Sequence, residues 1–195
     1  MKNPYAADFS HTNLCLRPNL QTEQEWGINM KQKNIVLIGM PGAGKSTVGV
    51  VLAKKLGFAF LDSDLVIQSR EGRLLHEIIE QQGVEKFWFI EEEANLSIDA
   101  VRTVIATGGS VIYGSKAMEH LGQNGIIIYL KLSCREIAGR LGDLNERGVT
   151  LREGQTLEML YEERTPLYEK YAHITMDCEN LSIREIVEEI VRRIE

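Results

Sequence analysis

The apolar positions of this chain follow two rhythms. Short continuous runs occupy 34–38 (Asn34-Ile35-Val36-Leu37-Ile38), 58–61, 101–106, 125–132 and 174–176, and read as buried strands. The run Ile126-Ile127-Ile128-Tyr129-Leu130 suits a central parallel strand covered on both faces. Between them, apolar residues recur at helical spacing: Val48, Val51, Leu52 and Leu56 stop at Gly57, a good helix terminator. Leu65, Val66 and Ile67 follow Asp64, which reads as an N-cap or as a ligand-binding carboxylate. Leu74, Leu75, Ile78, Ile79 and then Phe87, Ile90, Ala94, Leu96 mark two helices separated by Gly83, and Glu91-Glu92-Glu93 reads most simply as a solvated helix face. Ser133 caps a helix through Ile137, Ala138 and Leu141. Leu157, Leu160, Tyr161, Leu167 and Tyr168 form the next, and Ile183, Ile186, Val187, Ile190, Val191 and Ile194 draw a stripe that is core and nothing more. Strands alternating with helices predict one α/β domain built on a parallel sheet.

The junctions carry the chemistry. Gly39-Met40-Pro41-Gly42-Ala43-Gly44-Lys45-Ser46 is a complete G-x-x-x-x-G-K-[ST] phosphate-binding loop between a strand and a helix. Its glycines let successive N–H groups turn around phosphate oxygens, and the new helix adds its positive end. Gly42, Ala43, Gly44, Lys45, Ser46 and Thr47 are therefore the predicted ATP-binding residues, with Lys45 on the outer phosphates and the Ser46 hydroxyl on Mg²⁺. The second strand ends at Asp62-Ser63-Asp64, and alternation across a strand end would point both carboxylates to one side. One can serve magnesium-bound water and the other a hydroxyl about to be phosphorylated. Thr107-Gly108-Gly109-Ser110 is a second glycine turn at a strand end, a pocket wall or a plain turn. Residues 142–154 are polar, hold Arg147 and Arg152 and lack an apolar stripe, which suits a lid over phosphates or an ordinary surface loop.

Composition narrows the class. With 195 residues, 44% of them apolar, the chain can bury one good-sized core. A net charge of −6 argues against nucleic acid as a partner. No run approaches the roughly 18 apolar residues of a membrane span, so no membrane partner is expected. Cys15, Cys134 and Cys178 are too few and too scattered for a disulfide framework or a zinc site, and suit a reducing cytoplasm. Residues 1–29 read as a flexible N-terminal extension, with Met30 a candidate start, and 30–195 as the single domain. The partner expected is a small-molecule substrate, bound by a monomer.

The order of these elements resembles the shikimate kinase family, within the nucleoside monophosphate kinase-like group of P-loop proteins, over about residues 33–194. The likeness rests on the phosphate loop, Phe60-Leu61-Asp62-Ser63-Asp64, Ala106-Thr107-Gly108-Gly109 and Glu163-Arg164-Thr165-Pro166-Leu167-Tyr168. It implies a three-layer α/β/α fold with a five-stranded parallel sheet in the order 2-3-1-4-5, and transfer of phosphate from ATP, with Mg²⁺, to the 3-hydroxyl of shikimate. By the same likeness Ser46 and Asp62 serve Mg²⁺, and Asp64 binds the substrate hydroxyl and takes its proton. Gly108 and Gly109 wall the substrate pocket, and Arg164 holds the carboxylate. Arg140 lies against adenine, and Arg147 reaches the phosphates as a catalytic residue alongside Lys45 and Asp64.

Three departures fall on the substrate side. Where the family has Gly-Glu-x-x-Phe-Arg, this chain has Gly83-Val84-Glu85-Lys86-Phe87-Trp88, so Trp88 replaces the second arginine on the carboxylate and Glu91 loses the partner it would support. Losing such a contact costs about 2–5 kcal/mol if nothing replaces it, a roughly thirtyfold or greater loss of affinity. Ser110 replaces the third glycine, and Arg147-Gly148-Val149-Thr150 stands for Arg-Pro-Leu-Leu. A tryptophan wall suits a less charged acceptor or a flat ring. The alternatives to a shikimate kinase are thus a divergent kinase on another hydroxylated metabolite and a non-catalytic ligand-binding relative. Retention of Lys45, Ser46, Asp62 and Asp64 speaks against the latter.

Overall fold

The computed structural model describes residues 33–141, 152 and 154–195. Five strands, β1 (Asn34–Ile38), β2 (Ala59–Asp62), β3 (Thr103–Ala106), β4 (Gly125–Lys131) and β5 (Ile174–Asp177), form one sheet in the order β2-β3-β1-β4-β5. Every pairing is parallel, with Val36 opposite Ile105 on one side and Ile127 on the other. The central β1 is buried at all five positions, as its unbroken apolar run requires once helices cover both faces. The predicted strand order is the observed one.

Helices α1 (Lys45–Leu56), α2 (Ser63–Glu71), α3 (Leu75–Gln82), α4 (Val84–Leu96), α5 (Ser115–Asn124), α6 (Cys134–Leu141), α7 (Leu157–Tyr171) and α8 (Ile183–Ile194) surround the sheet. Among the described residues, none of these helices is long and apolar enough to cross a membrane. The main core gathers both faces of the sheet, including Leu37, Leu52, Ile128 and Ile190. A second, smaller core of Ile67, Ile78, Phe87 and Ala94 binds α2, α3 and α4 to one another. That three-helix unit begins at the carboxyl end of β2, where Asp62 caps α2.

Two strand starts differ from the sequence reading for local reasons. Phe58 N–H donates back to Ala53 O, closing α1, so β2 begins at Ala59. Arg102 has a left-handed φ of 51°, which breaks the extended run, and β3 begins only at Thr103, whose N–H donates to Asn34 Oδ1. The sequence reading gave no helix for α5, whose buried stripe is only Ala117, Met118 and Leu121.

Candidate active site

The phosphate loop joins β1 to α1. Gly42 (φ 79°) and Gly44 (φ 89°) hold backbone angles that disfavour side chains, and a Cβ on Gly42 would press on Leu141 of α6. Lys45 is buried, and its Nζ donates to Gly39 O (2.8 Å) and Met40 O (2.9 Å), so the ammonium lies inside the loop's arc. Burial lowers its pKa to about 8, against the opposing pull of Asp64. Ser46 and Thr47 are exposed on the first turn of α1, whereas the Ala43 N–H is engaged by Met40 O. Arg140 lies beside this loop, its Cβ close to the Gly42 position, and forms an ion pair with Glu136 (3.7 Å).

Asp62 and Asp64 both face this loop, but by a different route from strand alternation. β2 ends at Asp62, which is the N-cap of α2 and accepts from the Asp64 N–H (3.0 Å). The capping role read for Asp64 therefore belongs to Asp62. Its other oxygen accepts from the Ser46 hydroxyl (2.7 Å). A hydroxyl and a carboxylate paired at a helix N-terminus are hard oxygen donors of the kind Mg²⁺ takes when phosphates and water complete its shell, so these residues fit the ion. Asp64, on the first turn of α2, keeps Oδ1 buried with no hydrogen-bond partner among the described residues. Burial first, and the Asp62 charge second, raise its pKa to about 6, while Lys45 opposes the shift.

The second glycine turn connects this carboxylate to α4 and α7. Thr107 Oγ1 donates to Leu37 O (3.0 Å), tying the turn to the end of β1, and the Gly108 N–H donates to the Ser63 hydroxyl (3.3 Å). A Cβ on Gly108 would run into the Glu91 carboxylate and stand 2.9 Å from Asp64 Oδ1. One on Gly109 would meet Pro41 of the phosphate loop at 2.8 Å and Arg164 Nη1 at 3.1 Å. Tyr168 donates to Gly109 O (2.6 Å), which fixes α7 against the turn and holds Arg164, one helical turn earlier, at its edge. Arg164 is 1% exposed, and its Nε donates to the Tyr113 hydroxyl (3.3 Å). The turn thus touches the phosphate loop, Asp64, Glu91 and Arg164 at once.

Glu91 is not part of a solvated face: it is 1% exposed, with neither carboxylate oxygen in a hydrogen bond of good geometry among the described residues. The absent Cβ of Gly108 makes the room it occupies. Burial raises its pKa to about 8; the Ser110 hydroxyl, Arg164 and Lys45 pull it down, and Asp64 pushes it up. The folded chain therefore keeps this proton while the unfolded chain releases it near 4.5, and stability is lost as pH rises from about 4.5 to about 8. Glu91→Gln removes that titration. In denaturant titrations its stability relative to the parent should climb across this window, by up to about 1.4 kcal/mol per pH unit, and level off above it. Parallel curves would show Glu91 to be ionised throughout.

The Trp88 ring lies 4.4 Å from that of Tyr113, and its indole Nε1 is buried with no hydrogen-bond partner among the described residues. Tyr113, in a short 3₁₀ turn at Val111–Tyr113, donates to Glu163 Oε1 (2.7 Å). Sequence reasoning gave no role to Tyr113 or Glu163, which the fold brings to Arg164 and to each other. Arg147 and most of 142–154 lie outside the described residues, as do residues 1–32, so the lid and the N-terminal extension are not placed.

A family model described as shikimate kinase matches residues 41–195. The chain is 40% identical over 166 residues to a shikimate kinase of Thermodesulfovibrio yellowstonii, covering 84% of this chain and 95% of that one. It is 36% identical over 163 residues to one of Caldanaerobacter subterraneus, covering 82% and 95%. Among solved structures it is similar to the shikimate kinase from Acinetobacter baumannii in complex with shikimate, with TM-score 0.75 and 34% identity over 83% of this chain and 92% of that one.

Proposed function

The chain belongs to the shikimate kinase family, and from that premise we propose how its own residues move the γ-phosphoryl group of ATP to the 3-hydroxyl of shikimate. The observation that carries this reading is the pair of glycines at 108 and 109. Their missing side chains let Asp64 and Glu91 close on the turn at one glycine, and Arg164 and the phosphate-loop Pro41 at the other. An acceptor seated there has its hydroxyl at Asp64 and its carboxylate toward Arg164.

ATP phosphates lie along the loop from Gly42 to Thr47, and Lys45 exchanges its two carbonyl acceptors for β- and γ-phosphate oxygens. Ser46 and Asp62 would hold Mg²⁺, which supplies charge neutralisation on the phosphates when bound. Asp64 accepts the hydroxyl proton as the oxygen bonds to phosphorus and the bond to the ADP oxygen breaks. Arg164, rigid in α7, orients the acceptor through its carboxylate. Arg140, beside Gly42, covers the adenine; the lid role read for 142–154 and the phosphate contact read for Arg147 concern residues that lie mostly outside the described ones. The assembly proposed is a monomer. Cys134 and Cys178 are free thiols, as suits the cytoplasm.

Trp88 favours a second reading, a less charged acceptor resting on the indole. ATP consumption with Mg²⁺, with and without millimolar shikimate, separates the two when the product is identified by mass. Saturable, shikimate-dependent formation of a monophosphorylated product is the expected result. ATP binding without stimulation by shikimate would instead mean that the pocket has been re-aimed.

A further inference from the structure

Two guanidinium groups converge on the Tyr113–Glu163 pair. Arg164 approaches from α7, its Nε on the Tyr113 hydroxyl (3.3 Å) and its guanidinium carbon 5.3 Å from the centre of that ring. Arg152 approaches from the other side: Nη2 and Nη1 donate to Glu163 Oε1 (3.2 Å) and Oε2 (3.4 Å), and its guanidinium carbon stands 5.3 Å from the centre of the Trp88 ring. The rings beneath the two cations are themselves in contact, with centroids 4.4 Å apart. We propose that Arg152 is the second cation on the substrate carboxylate, held by Trp88 and Glu163 beside the place a helix arginine would otherwise fill. The inference rests on shikimate being the acceptor.

The geometry suits the task. Arg164 is sealed in, whereas the Arg152 side chain is 50% exposed, so one cation forms the floor of a carboxylate site and the other its mouth. Glu163 accepts from Tyr113 (2.7 Å), Gln155 (2.8 Å) and both terminal nitrogens of Arg152, which fixes the guanidinium plane. Toward the described residues Arg152 spends two of its five N–H donors in this way, leaving three for a ligand. An exposed ion pair of this kind contributes little to folding, so the pairing is better explained as orientation. Trp88 contributes an apolar face that attracts a guanidinium without adding charge. Lys86, the nearby cation on α4, stands over Phe89 (4.8 Å) instead.

Arg152→Ala and Arg152→Lys, assayed with shikimate and with its neutral analogue in which the carboxylate is reduced to a primary alcohol, test the assignment. Charge-assisted contacts are strong enough that Arg152→Ala should raise the KM for shikimate by about tenfold or more. KM for ATP should hold, the analogue's KM should be the same in parent and variant, and Arg152→Lys should recover part of the loss. An unchanged KM for shikimate, an equal loss with the neutral analogue, or a change confined to KM for ATP would overturn the proposal. If the parent fails to turn over shikimate at all, the acceptor assignment itself falls, and this inference with it. Turnover by the parent with an unaffected Arg152→Ala removes Arg152 alone.

Discussion

Asp64→Asn is expected to lower kcat about 10²- to 10⁴-fold, the range a positioned general base supplies, while leaving KM for ATP nearly unchanged. The asparagine oxygen can still accept a hydrogen bond from the hydroxyl but cannot keep its proton. The parent enzyme should show the same dependence through pH. Burial and the Asp62 charge raise the Asp64 pKa to about 6, and only the ionised form accepts the proton. The rate with shikimate therefore falls as pH drops through about 6, tenfold per unit below it. Stability moves the other way: ionised Asp64, with Oδ1 buried and unpartnered, burdens the fold at pH 7, and Asn removes that charge. A variant at least as stable as its parent but nearly inactive separates a chemical role from a structural one. Near-normal turnover would remove Asp64 from the mechanism.

The contrast between Asp64 and Glu91 marks how far the sequence could be read. Continuous apolar runs such as Ile35 to Ile38 specify strands buried on both faces, and the phosphate loop is contiguous, so the sheet order and the place of that loop between β1 and α1 were legible from one dimension. Asp62 and Asp64 were recognised as a pair, yet spacing alone does not say which carboxylate folds back to cap α2. Glu91 sits in a run of three glutamates, a composition that reads as surface. It is buried because Gly108, on a different element, leaves space for it. Arg152 was read only as an arginine of the polar 142–154 stretch, for a similar reason: the ring on which it stands belongs to α4, and the carboxylate that orients it to α7. Contacts made between elements, without a local motif at either end, are where sequence reasoning ran out.

Lys45→Met should reduce kcat by about 10²- to 10³-fold, the effect of removing one donor from a charge-stabilising site. Methionine keeps the unbranched apolar stem in its buried channel, whereas alanine would also open a cavity, so the Met variant isolates the loss of charge. The ammonium holds the Gly39 and Met40 carbonyls, and losing it frees two acceptors at the loop's centre. ATP binding should therefore weaken together with turnover. The alkaline side of the pH profile provides a second measurement. Burial lowers the Lys45 pKa to about 8 in the free chain, so kcat/KM for ATP should fall as pH rises through that value. Once ATP is bound, its phosphates favour the charged ammonium, and the same limb in kcat should lie at higher pH. Asp64 supports the Lys45 charge, so Asp64→Asn should draw the alkaline limb of ATP binding to lower pH, as read by equilibrium titration. Coincident limbs in kcat and kcat/KM, or an Asp64→Asn binding profile identical to the parent's, would assign the alkaline transition to another group.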